Sequence, residues 1–284
     1  MNTGNWVLDN LLQALETWRK YLSEIWALLT TSPQSFRGGT IWNIILDIHG
    51  GLKAVAYALL VLFFIVGVVR ATTDYRDIKR PEQALKLFIR FAVAKGVITY
   101  SMDLLLAVFS IIQGVISRIA GSAGSALTGG IELPGIIEQK VLACSFFESI
   151  PLWIVSLIGS LLVTVLSFVM ILTVYGRFFS IYMYTAIAPI PLSTFAGEGT
   201  SRIGVQFLKS YAGVCLQGAI IVLACIIYSA YAASPPAVSD TAASAAKMVW
   251  SYLGELTLIV NCSDTTVDFI LSENNLYSST NMRQ

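Results

Sequence analysis

The chain has 284 residues, 56% of them hydrophobic and only 12% charged, with a formal net charge of +1. Soluble domains carry ~25% charged residues, so this composition excludes a mostly water-facing surface and argues for extensive contact with lipid. Near neutrality also excludes a basic nucleic-acid footprint and an acidic solvating tail.

No Lys or Arg precedes Arg19, so internal segments, not a basic leader with a short apolar core, are expected to direct insertion. Residues 5–30 read as one amphipathic helix. Leu8, Leu11, Leu15, Trp18, Leu22, Ile25 and Leu29 advance in steps of three and four, while Asp9, Glu16, Lys20 and Glu24 fall off that stripe. Such a helix could lie in the membrane interface, pack against partner helices or cover its own chain. Ser32-Pro33 and Gly38-Gly39 end the pattern.

The first span is expected over Gly50–Val69, with Lys53 snorkelling near one end and His49 an interfacial polar residue at its edge. Arg70–Lys95 then holds seven Lys/Arg against three Asp/Glu. That excess marks the cytoplasmic side, which places the N-terminal helix outside and the basic loop 70–83 inside. Pro81 suits the first turn of a further helix, and Ala84–Lys95 reads as interfacial or partly inserted. A second span follows over about Gly96–Ile116. Within it, Asp103 either lines a polar path or marks a boundary lying elsewhere, since a carboxylate at membrane depth is costly.

Ala120–Gly130 is built of small residues and is expected to be a loop, with a short amphipathic piece over 131–148. Ser149–Gly176 has no charged residue over 28 positions, more than the ~20 that cross a bilayer. Arg177 follows, consistent with a cytoplasmic end. Phe178–Gly197 is again uncharged but carries Ala188-Pro189-Ile190-Pro191. Two prolines remove helix donors and terminate or kink the helix, so this segment is either a fourth crossing or a re-entrant one. Irregular backbone at that depth requires protein or water around it. Ser210–Ser239 supplies another uncharged stretch of 30 residues, expected to span until about Ala233 and to stop at Pro235-Pro236. A packed or interfacial helix over 242–260 and a polar tail from Asn261 complete the chain.

These elements describe an all-α, polytopic transmembrane protein with about five spans, one broken by prolines, and amphipathic flanking helices. Its expected organisation is an extracytoplasmic helix within 1–48, a transmembrane core over 49–233, and an interfacial helix and tail over 234–284. Catalytic chemistry finds little to work with. His49 is the only histidine, the four cysteines form no CxxC pair, and no HExxH or Walker-type motif occurs. No catalytic residue, cofactor or metal site is therefore expected.

The run Arg177-Phe-Phe-Ser-Ile-Tyr-Met-Tyr-Thr-Ala-Ile-Ala-Pro-Ile-Pro191, with Gly197-Glu-Gly and Phe207-Leu-Lys-Ser-Tyr-Ala-Gly213 after it, resembles the central region of the TrbL family. These are polytopic conjugal-transfer components of type IV secretion systems, and the likeness extends over about residues 45–235. It implies a non-enzymatic platform or channel subunit of the cell membrane, an oligomer working with other secretion subunits, partner ATPases and membrane lipids, and in transient contact with a DNA–relaxase or protein substrate. By position it points to Arg177, Tyr184, Ala188, Pro189, Pro191, Gly197, Lys209 and Gly213 for assembly and passage, beside Asp103 from the residue reading. A small-solute transporter, for which broken helices are a known device, and a structural or immunity-type membrane protein remain open.

Overall fold

The computed structural model describes residues 5–73, 81–123, 135–144, 146–197, 199–232 and 247. Outside them lie residues 74–80 of the basic loop, the glycine-rich run from 124, Glu198, Pro235-Pro236, nearly all of the helix expected over 242–260, and the polar tail.

Every regular element among the described residues is helical. Helix α1 (Trp6–Thr30) leads through a 3₁₀ turn (Phe36–Gly39) into α2 (Thr40–Thr73). Helices α3 (Pro81–Thr99), α4 (Ser101–Ala123) and α5 (Gly135–Leu142) follow. The long α6 (Phe146–Ile187), the short α7 (Pro189–Ser193) with a 3₁₀ turn (Thr194–Ala196), and α8 (Ser201–Ala232) complete the order. Four stretches are long and apolar enough to cross a membrane: Phe36–Val69, Ser101–Ile119, Ile150–Ile187 and Ser201–Ile227. The polytopic helical class is as expected from the sequence.

Two local expectations change. The chain does not turn at Arg177, because Ser149–Gly176 and the residues after it form one 42-residue helix. A lone glycine such as Gly176 costs a helix only ~1 kcal/mol, too little to end a run this apolar. Residues 120–123, expected in a loop, extend α4.

The chain divides into two compact units, the first made of Met1–Thr30, Val115–Gly176 and Gly218–Phe269. Here the α1 stripe is covered: Leu8, Leu11, Leu15, Trp18, Leu22, Ile25 and Leu29 are all buried. Helix α5 packs against α1 and buries Ile137 and Val141. Fully burying one such side chain is worth ~1.5–3 kcal/mol, and a covered stripe has no apolar face left for the membrane interface. Of the readings open for α1, the bundle helix covering its own chain is the one observed.

The second unit contains Thr31–Gly114 and Arg177–Gln217. Its entry is a left-handed turn, with Arg37 at φ 48°, Gly38 at 74° and Gly39 at 77°. Glycine removes the Cβ penalty of that region at the last two positions. Phe36 stacks on Phe178 at 4.4 Å between centroids, and the Tyr182 hydroxyl donates to the Pro33 carbonyl at 2.8 Å. Helices α2 and α3 then form an antiparallel pair. Phe64 meets Phe88 and Phe91 at 5.6 and 4.7 Å, and farther along Tyr57 bonds Thr99 side chain to side chain at 2.9 Å. Alanines at close-packed positions, Ala56 and Ala94, are fully buried, as small residues are where membrane helices approach. The opposite faces carry Val61, Leu62 and Ile65 on α2 and Leu85, Ile89 and Val93 on α3, all exposed. Water would disfavour so much apolar surface, whereas acyl chains accept it.

Candidate functional site

The proline pair lies in the middle of the second unit. Pro189 lacks the amide hydrogen that a continuing helix would direct to the Thr185 carbonyl, and Pro191 lacks the one for Ile187. The chain nonetheless stays helical through the interruption. Ala188 has φ −48° and ψ −41°, the Leu192 amide donates to the Ala188 carbonyl at 3.2 Å, and one turn of α7 precedes the 3₁₀ turn. Only at Gly197, with ψ 141°, does the backbone become extended. The prolines thus kink the path without reversing it.

Protein surrounds this kink. Helix α7 and the turn after it pack against both α2 and α3, and Ala188, Pro189, Leu192, Ser193, Thr194 and Ala196 are buried. Hydroxyls complete the local bonding. Ser193 donates to the Ile190 carbonyl and Thr194 to the Pro191 carbonyl, each at 2.6 Å, while Thr200 donates to the Thr194 carbonyl at 3.0 Å. Interrupted backbone at membrane depth is allowed under just these conditions. A side chain at Gly197 would run into Thr200 Oγ1, and a Cβ at Gly204 would lie 2.9 Å from the Phe195 ring. A side chain at either glycine would force Thr200 or the Phe195 ring to shift.

His49 supplies the donor that Pro189 withholds. Its Nδ1 lies 2.7 Å from the Thr185 carbonyl oxygen and its Nε2 lies 2.9 Å from Ser101 Oγ. A carbonyl only accepts, so Nδ1 carries hydrogen and donates to it. The ring is 2% exposed, which corrects its expected place as an interfacial residue at a span edge. A polar ring can be buried here because both nitrogens have partners. A second interruption, between α3 and α4, receives similar treatment. Lys53 Nζ donates to the Thr99 carbonyl at 2.9 Å, and Ser101 Oγ lies 2.8 Å from the Ile98 carbonyl, so its one hydrogen serves either that oxygen or His49 Nε2. Lys53 thus ties one helix interruption as well as reaching outward.

Arg177 lies about three turns before the kink and is 1% exposed. Its Nη2 donates to the Cys215 carbonyl of α8 at 3.4 Å, and its guanidinium carbon is 5.9 Å from the centre of the Phe109 ring. Nε and Nη1 are buried without a hydrogen-bond acceptor. Arg177 is thus packed against protein on α8 and α4 and does not project outward as a headgroup anchor would. Between Arg177 and His49 the polar groups continue. Tyr211 donates its hydroxyl to the Leu105 carbonyl at 3.1 Å and lies beside the Cys215 thiol and Thr185. Tyr184 packs its ring against Phe207 at 5.5 Å and Tyr211 at 6.4 Å.

The structure therefore gathers Arg177, Tyr184, Ala188 and Pro189 along one buried path and puts Pro191 and Gly197 at its far end. Lys209 and Asp103 are exposed, and Gly213 is half-buried. Asp103 occupies the first turn of α4, where a carboxylate opposes the positive helix end. His49, Ser101 and Thr185 were missed as a group. The position four residues before Pro189 signalled a carbonyl in need of a donor, but nothing in the sequence said which residue would provide it. No group of three or more His, Cys, Asp or Glu able to hold a metal occurs among the described residues.

A family model described as TrbL/VirB6 plasmid conjugal transfer like protein matches residues 19–189, more than half of the chain. The match begins inside α1 and ends at Pro189, so it covers the Arg177–Pro189 part of the resemblance and stops before Gly197–Gly213. No curated protein matches the chain.

Proposed function

The chain belongs to the TrbL/VirB6-like family of plasmid conjugal transfer proteins, and on that premise we propose that it is a multi-pass platform or channel subunit of the cell membrane. Membership makes it a membrane component of a conjugal transfer system, working in a complex with other subunits. The finer proposal is that it supports passage of a DNA–relaxase or protein substrate, as an oligomer, with partner ATPases supplying the energy and no catalysis of its own.

The observation that carries this reading is that the family match runs through Arg177 and ends on the kink. Along that stretch a largely apolar unit buries a guanidinium, an imidazole and a phenol besides several hydroxyls. Such groups are costly in a membrane protein and are held inward, toward other polar groups. Arg177, Tyr184, Ala188 and Pro189 are the proposed assembly and passage residues of the core, with Pro191, Gly197 and Gly213 shaping the turn and α8. From the Lys/Arg excess over residues 70–95, we infer that the segment joining α2 and α3 is cytoplasmic. A Cβ at Gly197 would lie 3.8 Å from Phe63 of α2, so the turn into α8 passes beside α2.

The test is to crosslink the protein in its native membrane and identify what is captured, while measuring DNA transfer from cells that carry the variants. Capture of the transfer ATPases and coupling protein, with transfer lost on Arg177 or Ala188–Pro191 changes, is the expected result. An isolated, solute-binding monomer would instead support the transporter reading. Transfer unaffected by changes at the kink would support a structural or immunity-type role.

A further inference from the structure

We propose that His49 is the latch of the kink: it stands in for the amide that Pro189 lacks, and its release lets residues 188–196 leave their seat against α2 and α3. The first ground is stoichiometric. In an unbroken helix the Thr185 carbonyl would accept from residue 189, but residue 189 is proline. The vacant position on that oxygen is filled by His49 Nδ1 at 2.7 Å, from 136 residues away in sequence.

The second ground is connectivity. The same imidazole reaches Ser101 Oγ through Nε2 at 2.9 Å, and that hydroxyl also lies 2.8 Å from the Ile98 carbonyl beside the α3–α4 interruption, its one hydrogen serving either acceptor. One turn along α2, Lys53 donates to the Thr99 carbonyl. Four residues apart, His49 and Lys53 lie on one face of α2, and each supplies a hydrogen at a different interrupted helix. The turn 49–53 thus holds both irregular points of the unit at once.

The third ground is the nature of the seat. Backbone bonds inside a helix open only when the helix unwinds, but a side-chain donor leaves by a rotamer change. Packing around the ring restrains that change: His49, Ser101, Ala188 and Leu192 are each 2% exposed or less. The latch is therefore closed in this structure and has a defined way to open. The proposal does not rest on the role in conjugal transfer, since the readout below is the behaviour of residues 186–197 themselves.

The experiment is hydrogen exchange by mass spectrometry on the full-length protein in detergent or nanodiscs, following the peptide that covers 186–197. Four chains are compared: wild type, His49→Phe, Pro189→Ala and the double variant. His49→Phe keeps a ring of similar size without a donor and should raise exchange in this peptide at least tenfold. Pro189→Ala restores the amide and should make the segment as protected as wild type or more so. In that background His49→Phe should raise exchange by less than about threefold. If His49→Phe alone fails to accumulate but accumulates once Pro189→Ala is added, the rescue supports the latch. Equal effects of His49→Phe in both backgrounds, or none in either, would overturn it.

Discussion

The Tyr211 hydroxyl on α8 donates to the carbonyl oxygen of Leu105 on α4 at 3.1 Å, joining the two helices. That oxygen has a second lone pair for its own helix, so losing the tyrosine hydroxyl leaves it partly satisfied. Interhelical hydrogen bonds in membrane proteins average ~0.6 kcal/mol. Tyr211→Phe should therefore lower stability by about that amount, and Tyr211→Ala by ~3 kcal/mol or more as packing is lost as well. Unfolding of the two variants in mixed micelles checks the order; an equal loss in both would contradict it.

Arg177 separates fold from function. Its guanidinium is buried with one long hydrogen bond and two nitrogens lacking an acceptor. Replacing a poorly compensated buried charge with an apolar side chain of similar length is often neutral or stabilising. Arg177→Met should accumulate in the membrane at wild-type levels and melt no lower than wild type. DNA transfer should fall at least tenfold. A variant that misfolds, or that transfers normally, would remove Arg177 from the proposed passage residues.

Phe36 anchors the entry to α2. Its ring stacks on Phe178 and the next residue, Arg37, is exposed in a left-handed backbone. Truncating a buried phenylalanine costs ~3–5 kcal/mol, much of it local here. Phe36→Ala should speed tryptic cleavage after Arg37 severalfold, while cleavage elsewhere stays unchanged. Gel-resolved limited proteolysis distinguishes this from general unfolding.

Gly204 and Phe195 should behave as a pair. A Cβ at position 204 would lie 2.9 Å from the Phe195 ring, and overpacking typically costs ~1–3 kcal/mol. Gly204→Ala should destabilise by that amount, and Phe195→Leu should relieve most of it. A double-mutant cycle on thermal unfolding measures the coupling; additive effects would show that the ring simply moves aside.

The elements that the sequence makes legible are those set by local pattern. The α1 stripe from Leu8 to Leu29 is a matter of spacing, and all of it is buried as that spacing requires. The kink follows from Pro189 and Pro191, whose missing amides are a property of the residues themselves. Arg177 and His49 were harder to read because burial is a tertiary outcome. A single arginine after a long apolar run has the same local signature whether it meets a headgroup or a carbonyl of α8. The partners of His49 lie 52 and 136 residues away, and no periodicity connects such distances. Lys53 is expected near the end of a span but lies inside α2, and its role at the Thr99 carbonyl depends on the α3–α4 interruption, which no proline announces.

The pairing of His49 with the Thr185 carbonyl also bears on how the protein is made. Synthesis proceeds from the N-terminus, so α2 and its imidazole emerge long before the ribosome reaches the two prolines. A carbonyl stripped of its amide would be expensive to leave bare in the bilayer. Here the donor already exists when that carbonyl appears. Order along the gene thus matches order of need, and exchanging the positions of these segments would force the nascent chain to wait with its weakest turn uncovered.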